Sequence, residues 1–223
     1  MPAAPVEDPR EPLSPFYGPD EAREGVRVTR FEYSSAGDRV HGNLWRPEGS
    51  EVCPLVLVAH ARDDSKDAPE LDALGRTWSR AGAAVAAIDL PLHGGRASGK
   101  LGERVLRAVG ARAATDALDA DLWRHVVHQA TTDFARALTL LADRPDVDAS
   151  RLAFAGFGLG AQLGAALSAD DTRLCTAVLA GPAGSAAAGP RVSVLPLDSD
   201  EIAPATVDDA WRLLAPGLGL APR

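Results

Sequence analysis

Three uninterrupted apolar segments limit the folds open to this chain more than any other feature. They are Pro54–His60 (PLVLVAH), Ala84–Leu90 (AVAAIDL) and Arg151–Phe157 (RLAFAGF). A strand with one solvated face alternates apolar and polar residues, whereas a parallel strand is covered on both faces and reads as a continuous apolar run. We therefore predict that these segments form the centre of a parallel sheet, which is extended by strands at Leu174–Ala180 and Val192–Leu197.

Helices are expected between these strands, because parallel neighbours need long crossover connections. The longest is predicted over Asp121–Ala142, where apolar residues recur every three or four positions and Pro145 ends the pattern. The other predicted helices are Glu70–Ala81, a short one near Glu103–Val109, Leu159–Ser168 and Thr206–Leu214. The expected fold class is α/β, with a mostly parallel sheet and helices on both of its faces.

The N-terminal part of the chain differs in pattern from the rest. Val26–Tyr33 and Arg39–Trp45 flank a glycine-containing turn and predict an antiparallel hairpin. Residues 1–25 are rich in proline and charge without periodicity, so we expect a disordered or loosely docked arm. Residues 26–223 are then expected to form a single domain.

Net charge and cysteine content exclude several classes of function. The formal net charge is −8, which disfavours nonspecific binding to nucleic acid or to an anionic membrane surface. No apolar run reaches the roughly 18–20 residues that span a bilayer, and the N-terminus lacks a signal-peptide pattern. Cys53 and Cys175 are too few for a disulfide framework or a zinc ribbon. We expect a cytoplasmic protein with no cofactor, no metal site, no nucleic-acid partner and no membrane partner.

A glycine-rich turn joins the third apolar segment to the helix that follows it. Its sequence is Gly156-Phe157-Gly158-Leu159-Gly160. In the G-x-S-x-G motif the central serine sits on a strained strand-to-helix turn, and the flanking glycines relieve crowding there. Here those glycines are present, and Gly158 stands at the nucleophile position. A dinucleotide-binding interpretation is disfavoured, because that motif follows the first strand and needs an acidic residue at the end of the next one.

Four segments in order make the chain resemble the α/β-hydrolase superfamily, and especially its compact members similar to dienelactone hydrolase. The segments are His60-Ala61, Asp89–Arg96 (DLPLHGGR), Asp146–Gly164 and Leu195–Pro204. They are similar to the oxyanion-hole loop, the turn after the next strand, the nucleophile elbow with its strand and helix, and the loop of the triad acid. The resemblance covers about residues 26–214. It implies that fold, with the triad acid at Asp200.

The same resemblance implies that the catalytic triad is degenerate. Gly158 has no side chain with which to attack a carbonyl, and no histidine follows Asp200 in this sequence, where the family carries its catalytic base. The sheet is expected to be truncated at its last strand. The candidate oxyanion-hole and ligand-binding residues are Ala61, Arg62, Phe157 and Leu159. A protein that has lost serine-type ester hydrolysis but keeps a cleft for a small molecule, or a role with a partner, is the leading expectation.

A second chemistry on the same fold stays open. A shaped cleft can catalyse non-serine hydrolysis, elimination, isomerisation or cyclisation, with His93, His60 or Asp200 as the base. His93 is the stronger candidate, because Asp89 lies nearby and would orient its ring. The alternative for both histidines is a structural role, in which they bond to the backbone of loops at strand ends.

Two further features have weaker implications. A truncated sheet would leave an exposed edge, and such edges invite pairing, so a second subunit could form a homo-oligomer and supply missing catalytic parts. His125 and His128 form an H-x-x-H pair on the long helix. A zinc site needs further ligands, so we interpret this pair as a solvated helix face.

Overall fold

The computed structural model describes residues 11–49, 52–100, 102–104, 117–181, 191–197 and 202–222. The strands are β1 (Phe16–Arg23), β2 (Val26–Ser35), β3 (Asp38–Pro47), β4 (Cys53–Ala59), β5 (Ala84–Ile88), β6 (Val147–Phe157), β7 (Leu174–Gly181) and β8 (Val192–Pro196). The helices that bear on the site are α1 (Pro69–Arg80), α2 (Ala117–Ala142), α3 (Leu159–Asp170) and α4 (Pro204–Leu214).

All of these strands form one sheet in the order β1-β2-β3-β5-β4-β6-β7-β8. The pairs β5–β4, β4–β6, β6–β7 and β7–β8 are parallel. The pairs β1–β2, β2–β3 and β3–β5 are antiparallel. The expected α/β class, with a mostly parallel sheet and an N-terminal antiparallel hairpin (β2–β3), is therefore confirmed.

The core lies in two layers, one on each face of the sheet. Helices α2 and α3 cover one layer, and helices α1 and α4 cover the other. Strand β4 shows why its apolar run is continuous: Leu55 and Leu57 belong to the first layer, whereas Val56 and Val58 belong to the second. Because successive strand residues point to opposite faces, a strand between two helical layers needs apolar side chains at every position.

The structure differs from the expected N-terminal arm. Phe16–Arg23 forms the edge strand β1, and its register with β2 shifts between Tyr17 and Asp20, where Pro19 lies. Proline has no N–H for a ladder bond, so an edge strand with an irregularity is where a sheet accepts it. Arg46 of β3 then binds Asp20 at 2.7 Å, which fastens β1 to the body. The charged residues and the proline of this segment do not form a sequence pattern typical of a strand, so β1 was not predicted.

Some expectations fall wholly or partly outside the described residues, or depend on what lies there. Most of the short helix predicted near Glu103–Val109 is in this class. Strand β8 is one edge of the described sheet, so the predicted truncation and the pairing with a second copy remain predictions. Among the helices that the structure describes, none is long and apolar enough to cross a membrane.

Candidate functional site

The turn between β6 and α3 adopts the conformation of a nucleophile elbow. Gly158 has φ 52° and ψ −113°, in the left-handed half of backbone space that side chains rarely adopt. Its N–H donates to the carbonyl of Ala180 at 2.7 Å, so the first residue of the turn is still hydrogen-bonded to β7. The strained position that the motif reserves for the nucleophile is thus retained, and glycine occupies it.

The two flanking glycines are required by close backbone contacts. A Cβ atom on Gly156 would lie 2.7 Å from the Cα of Ala161, at the start of α3. A Cβ on Gly160 would lie 2.4 Å from the carbonyl oxygen of Ala59, at the end of β4. These approaches explain why the glycine frame of the motif is present although its serine position is not occupied by serine.

The predicted oxyanion-hole residues are brought together by this packing. The N–H of Gly160 donates to the carbonyl of His60 at 3.1 Å, which places the first turn of α3 beside Ala61. Leu159 opens α3, so its N–H has no partner within the helix. Among the residues that the structure describes, neither the Leu159 N–H nor the Ala61 N–H has a hydrogen-bond acceptor. Two backbone donors therefore remain for a ligand oxygen.

The side chains of the predicted ligand-binding residues offer fewer groups to a ligand than their backbone does. Phe157 is completely buried in the layer of α1 and α4, so its side chain belongs to the core. Leu159 is buried in the opposite layer, and Arg62 is half-buried on the loop after β4. The Phe157 side chain therefore packs in the core, and a role of Phe157 in ligand binding stays a prediction.

His60 is held by bonds at both ring nitrogens. Its Nε2 accepts the N–H of Leu90 at 3.2 Å, so its Nδ1 carries the proton and donates to the carbonyl of Ala61 at 2.8 Å. Burial lowers the pKa of His60 to about 4. His60 therefore lacks a free lone pair and joins the loop after β4 to the loop after β5, which is the structural alternative given above.

His93 differs from His60 in one respect that matters for chemistry. Its Nδ1 donates to the carbonyl of Pro91 at 2.9 Å, which leaves the lone pair on Nε2. The Nε2 atom is buried and has no hydrogen-bond partner among the described residues. The rings of His93 and His60 meet edge to face with centroids 5.3 Å apart. Of the two predicted histidine bases, His93 is thus the one whose basic ring nitrogen has no hydrogen-bond donor among the described residues.

Asp89 does not orient His93, contrary to the sequence-based expectation. One carboxylate oxygen accepts the N–H of Lys66 at 3.0 Å, and the other accepts the N–H of Gly95 at 3.0 Å. A Cβ on Gly94 would lie 2.1 Å from this carboxylate. Asp89 is completely buried and instead joins the loop after β4 to the loop after β5.

A buried ion pair beneath the loop after β5 was not anticipated from the sequence. Arg96 donates to Asp133 of α2 at 2.7 Å and to the carbonyl of Asp89 at 3.1 Å. Burial raises the pKa of Asp133, and the neighbouring Arg96 opposes that rise. The pair anchors the loop after β5 to α2. The sequence contains two indications of this ion pair: an arginine directly after the loop glycines and an acidic residue within the apolar face of a helix.

The other histidine and carboxylate residues singled out in the sequence are either outside the described residues or exposed on α2. Asp200 lies outside the described residues. His125 and His128 are exposed on α2, and no group of three metal-ligating side chains occurs in the described part of the chain. Cys53 is buried, and burial raises the pKa of its thiol.

No protein-family model and no curated protein sequence matches this chain. Solved structures do match. An esterase from an Arctic intertidal metagenomic library is 22% identical, with a TM-score of 0.57 over 73% of this chain and 64% of the esterase. An acetyl xylan esterase from Paenibacillus sp. R4 is 23% identical, with a TM-score of 0.58 over 77% of this chain and 54% of that enzyme.

A third match is a Klebsiella pneumoniae protein whose assignment as a dienelactone hydrolase is itself provisional. It is 17% identical, with a TM-score of 0.54 over 71% of this chain and 61% of that protein. This chain therefore spans between half and two thirds of the length of these structures. Likeness at this level of identity concerns the arrangement of strands and helices.

Proposed function

On the α/β-hydrolase fold that this chain has, we propose that serine-type ester hydrolysis has been lost and that the cleft at the elbow binds a small carbonyl or carboxylate ligand. The observation that carries the proposal is Gly158, which keeps the strained backbone of the nucleophile and lacks any nucleophilic atom. The solved structures it resembles include proteins described as esterases. Their activity is a property of those proteins.

The ligand class follows from the backbone donors. The free N–H groups of Leu159 and Ala61 are suited to one oxygen that carries negative or partial negative charge. Leu159 also stands at the N-terminus of α3, where the helix dipole favours such an oxygen. An ester carbonyl or a carboxylate meets both conditions. Because Gly158 has no nucleophilic side chain, the carbonyl carbon of such a ligand would not be attacked at this position.

Hydrolysis of p-nitrophenyl acetate tests the loss of activity. The wild type and the variants Gly158→Ser and Asp200→Asn are compared with buffer alone. We expect no enzyme-like turnover from any of them, because a serine at 158 would still need a general base to remove its proton. Turnover by the wild type that collapses in Asp200→Asn would overturn the proposal.

Binding is tested separately by following backbone amide signals during titration with butyrate, an aliphatic carboxylate. The signals of Leu159 and Ala61 are expected to shift and saturate together. The Gly25 amide, in a distant turn, serves as the control. If other amide signals shift and saturate with butyrate while the Leu159 signal does not move, butyrate does not bind to the N–H groups of Leu159 and Ala61.

His93 supports a second candidate function, which is base catalysis on the same fold. Its Nε2 is the observation that favours it, since a buried lone pair without a donor is available to accept a proton. Slow hydrolysis of p-nitrophenyl acetate would then be lost in His93→Gln and kept in His128→Gln, a control on the exposed face of α2. Equal rates in all three proteins would exclude this chemistry for that substrate.

A further inference from the structure

A second cleft lies away from the elbow, on the α1 face of the N-terminal strands. Its floor is formed by β1, β2 and β3, and α1 with the loop before it forms one wall. The cleft volume is about 300 Å³, which is at the lower end of the range for small-molecule sites. The sequence pattern gave no indication of it, because β1 was not predicted as a strand.

The side chains that line this cleft include one more cation than carboxylates. Three carboxylates are each matched by a cation: Glu21 by Arg23, Asp67 by Lys66 and Asp72 by Arg76. Arg30 also lines the cleft and is exposed. Among the described residues it has no hydrogen-bond or ion-pair partner. Lys66 is shared between Asp67 and the buried Asp89, and the charge of Arg30 also acts on Asp67. Arg30 is therefore distinguished by an exposed guanidinium whose N–H groups have no acceptor among the described residues, which suits it to a carboxylate.

An apolar surface accompanies that charge. Phe16 is 61% exposed on the edge strand and lies at the cleft. Val28 and the buried Trp45 continue the apolar lining along the floor. The Trp45 Nε1–H donates to Asp72 of α1 at 3.0 Å, so the indole ring in the floor is held in place. An exposed phenyl ring beside a fixed apolar floor favours contact with a second planar ring.

Asn43 places an unpaired hydrogen-bond acceptor in the cleft floor. Its Nδ2 donates to the carbonyl of Lys66 at 3.1 Å and to the carboxylate of Asp67 at 3.0 Å. Both partners are acceptors, so the amide orientation is fixed and Oδ1 must be the remaining atom. Asn43 is 6% exposed, and its Oδ1 has no donor in the described part of the chain. A buried acceptor in this condition is unfavourable until a donor reaches it.

From these features we propose that the second cleft binds a small aromatic carboxylate that carries a hydroxyl donor. The carboxylate would pair with Arg30, since a guanidinium fits a carboxylate through two parallel hydrogen bonds. The ring would pack against Phe16, and the hydroxyl would supply the donor that Asn43 lacks. This site is independent of the elbow and of the function proposed there.

The test uses 4-hydroxyphenylacetate as the probe and measures Kd by calorimetry on the full chain. Phenylacetate lacks the donor and 4-hydroxyphenethyl alcohol lacks the charge, so each is expected to bind more weakly. Arg30→Gln is expected to weaken binding of the probe by about tenfold or more. Arg27→Gln is the matched control, because Arg27 is exposed on the same strand and points to the opposite face.

The outcomes separate clearly. Saturable binding that weakens in Arg30→Gln and Phe16→Ala, and is unchanged in Arg27→Gln, supports the site. Absence of saturable binding at millimolar probe overturns it, as does equal binding by the wild type, Arg30→Gln and Phe16→Ala, which would place the probe elsewhere. Equal binding of phenylacetate and 4-hydroxyphenylacetate would overturn the assigned role of Asn43.

Discussion

Gly160 packs against Ala59 so closely that a Cβ atom on Gly160 would lie 2.4 Å from the Ala59 carbonyl oxygen. This contact presses the first turn of α3 onto the end of β4. It also sets the bond from the Gly160 N–H to the carbonyl of His60. The close spacing between the elbow and the loop after β4 therefore requires that residue 160 has no Cβ atom.

Substitution of Gly160 by alanine is expected to destabilise the protein. The opposing atoms are backbone atoms of β4, which cannot move aside as a flexible side chain would, so we expect a loss of about 3 kcal/mol in the free energy of unfolding. Urea denaturation measures this loss. Gly99→Ala is the control, since Gly99 is exposed and has no atom within 4 Å of a Cβ position. Equal midpoints for the two variants would contradict the contact.

The Gly158→Ser variant is expected to fold with a modest loss of stability. A side chain at φ 52° and ψ −113° costs about 1–3 kcal/mol from backbone strain alone. Gly25→Ser is the matched control, because Gly25 has φ +80° and no atom within 4 Å of a Cβ position. Similar losses in urea denaturation would mean that room for a nucleophile side chain remains at the elbow. A much larger loss for Gly158→Ser would mean that the space has closed.

The sequence was sufficient to predict the features that are set locally. The continuous apolar runs identified β4, β5 and β6, because burial on both faces leaves no polar positions in such strands. The glycines around Gly158 identified the elbow, because only a strand-to-helix turn of this tightness excludes a Cβ at both flanks. Both signals are contained within a few consecutive residues.

Features that depend on distant partners were missed or misassigned. Strand β1 carries Pro19 and several charges, and its place at the sheet edge comes from pairing with β2 and from Arg46. The proximity of Asp89 to His93 in the sequence suggested that the carboxylate orients the ring. In the fold, the N–H groups of Lys66 and Gly95 hold that carboxylate. Neither arrangement leaves a local sequence pattern.

The Arg96–Asp133 pair is expected to be strongly coupled. The side chains are 4% and 0% exposed. Without Arg96 the buried Asp133 loses its cation, whereas without Asp133 the guanidinium of Arg96 keeps its ion pair with the exposed Asp38. Arg96→Gln is expected to lower the free energy of unfolding by about 3–5 kcal/mol. Arg212→Gln, which disrupts the exposed pair with Asp209, is expected to cost less than about 1 kcal/mol.

A double-mutant cycle with Asp133→Asn completes that test. After Asp133→Asn, the further substitution Arg96→Gln is expected to cost much less than it does in the wild type, because the opposing charge is already absent. Additive losses across the cycle would show that the two residues stabilise the loop after β5 independently.

His60 is expected to make the protein less stable in mild acid. Burial lowers its folded-state pKa to about 4, whereas an unfolded histidine has its ordinary pKa of about 6.5. Between these values the unfolded chain binds more protons, so the free energy of unfolding falls as the pH falls through this window. Above about pH 6.5 the imidazole is neutral in both states and its contribution is fully present. The difference between the two pKa values corresponds to a loss on the order of 3 kcal/mol.

Urea denaturation of the wild type, His60→Gln and His128→Gln at a series of pH values from about 7 down to 4.5 measures this dependence. His60→Gln removes the titrating group, so its stability is expected to fall less steeply with acid than that of the wild type. His128→Gln changes an exposed histidine on α2 and is expected to follow the wild type. Carboxylates also titrate near the acid end, and they are common to all three proteins. The gap between the His60→Gln curve and the other two therefore isolates the buried imidazole. Parallel curves would mean that His60 is protonated in the folded protein as readily as in the unfolded chain.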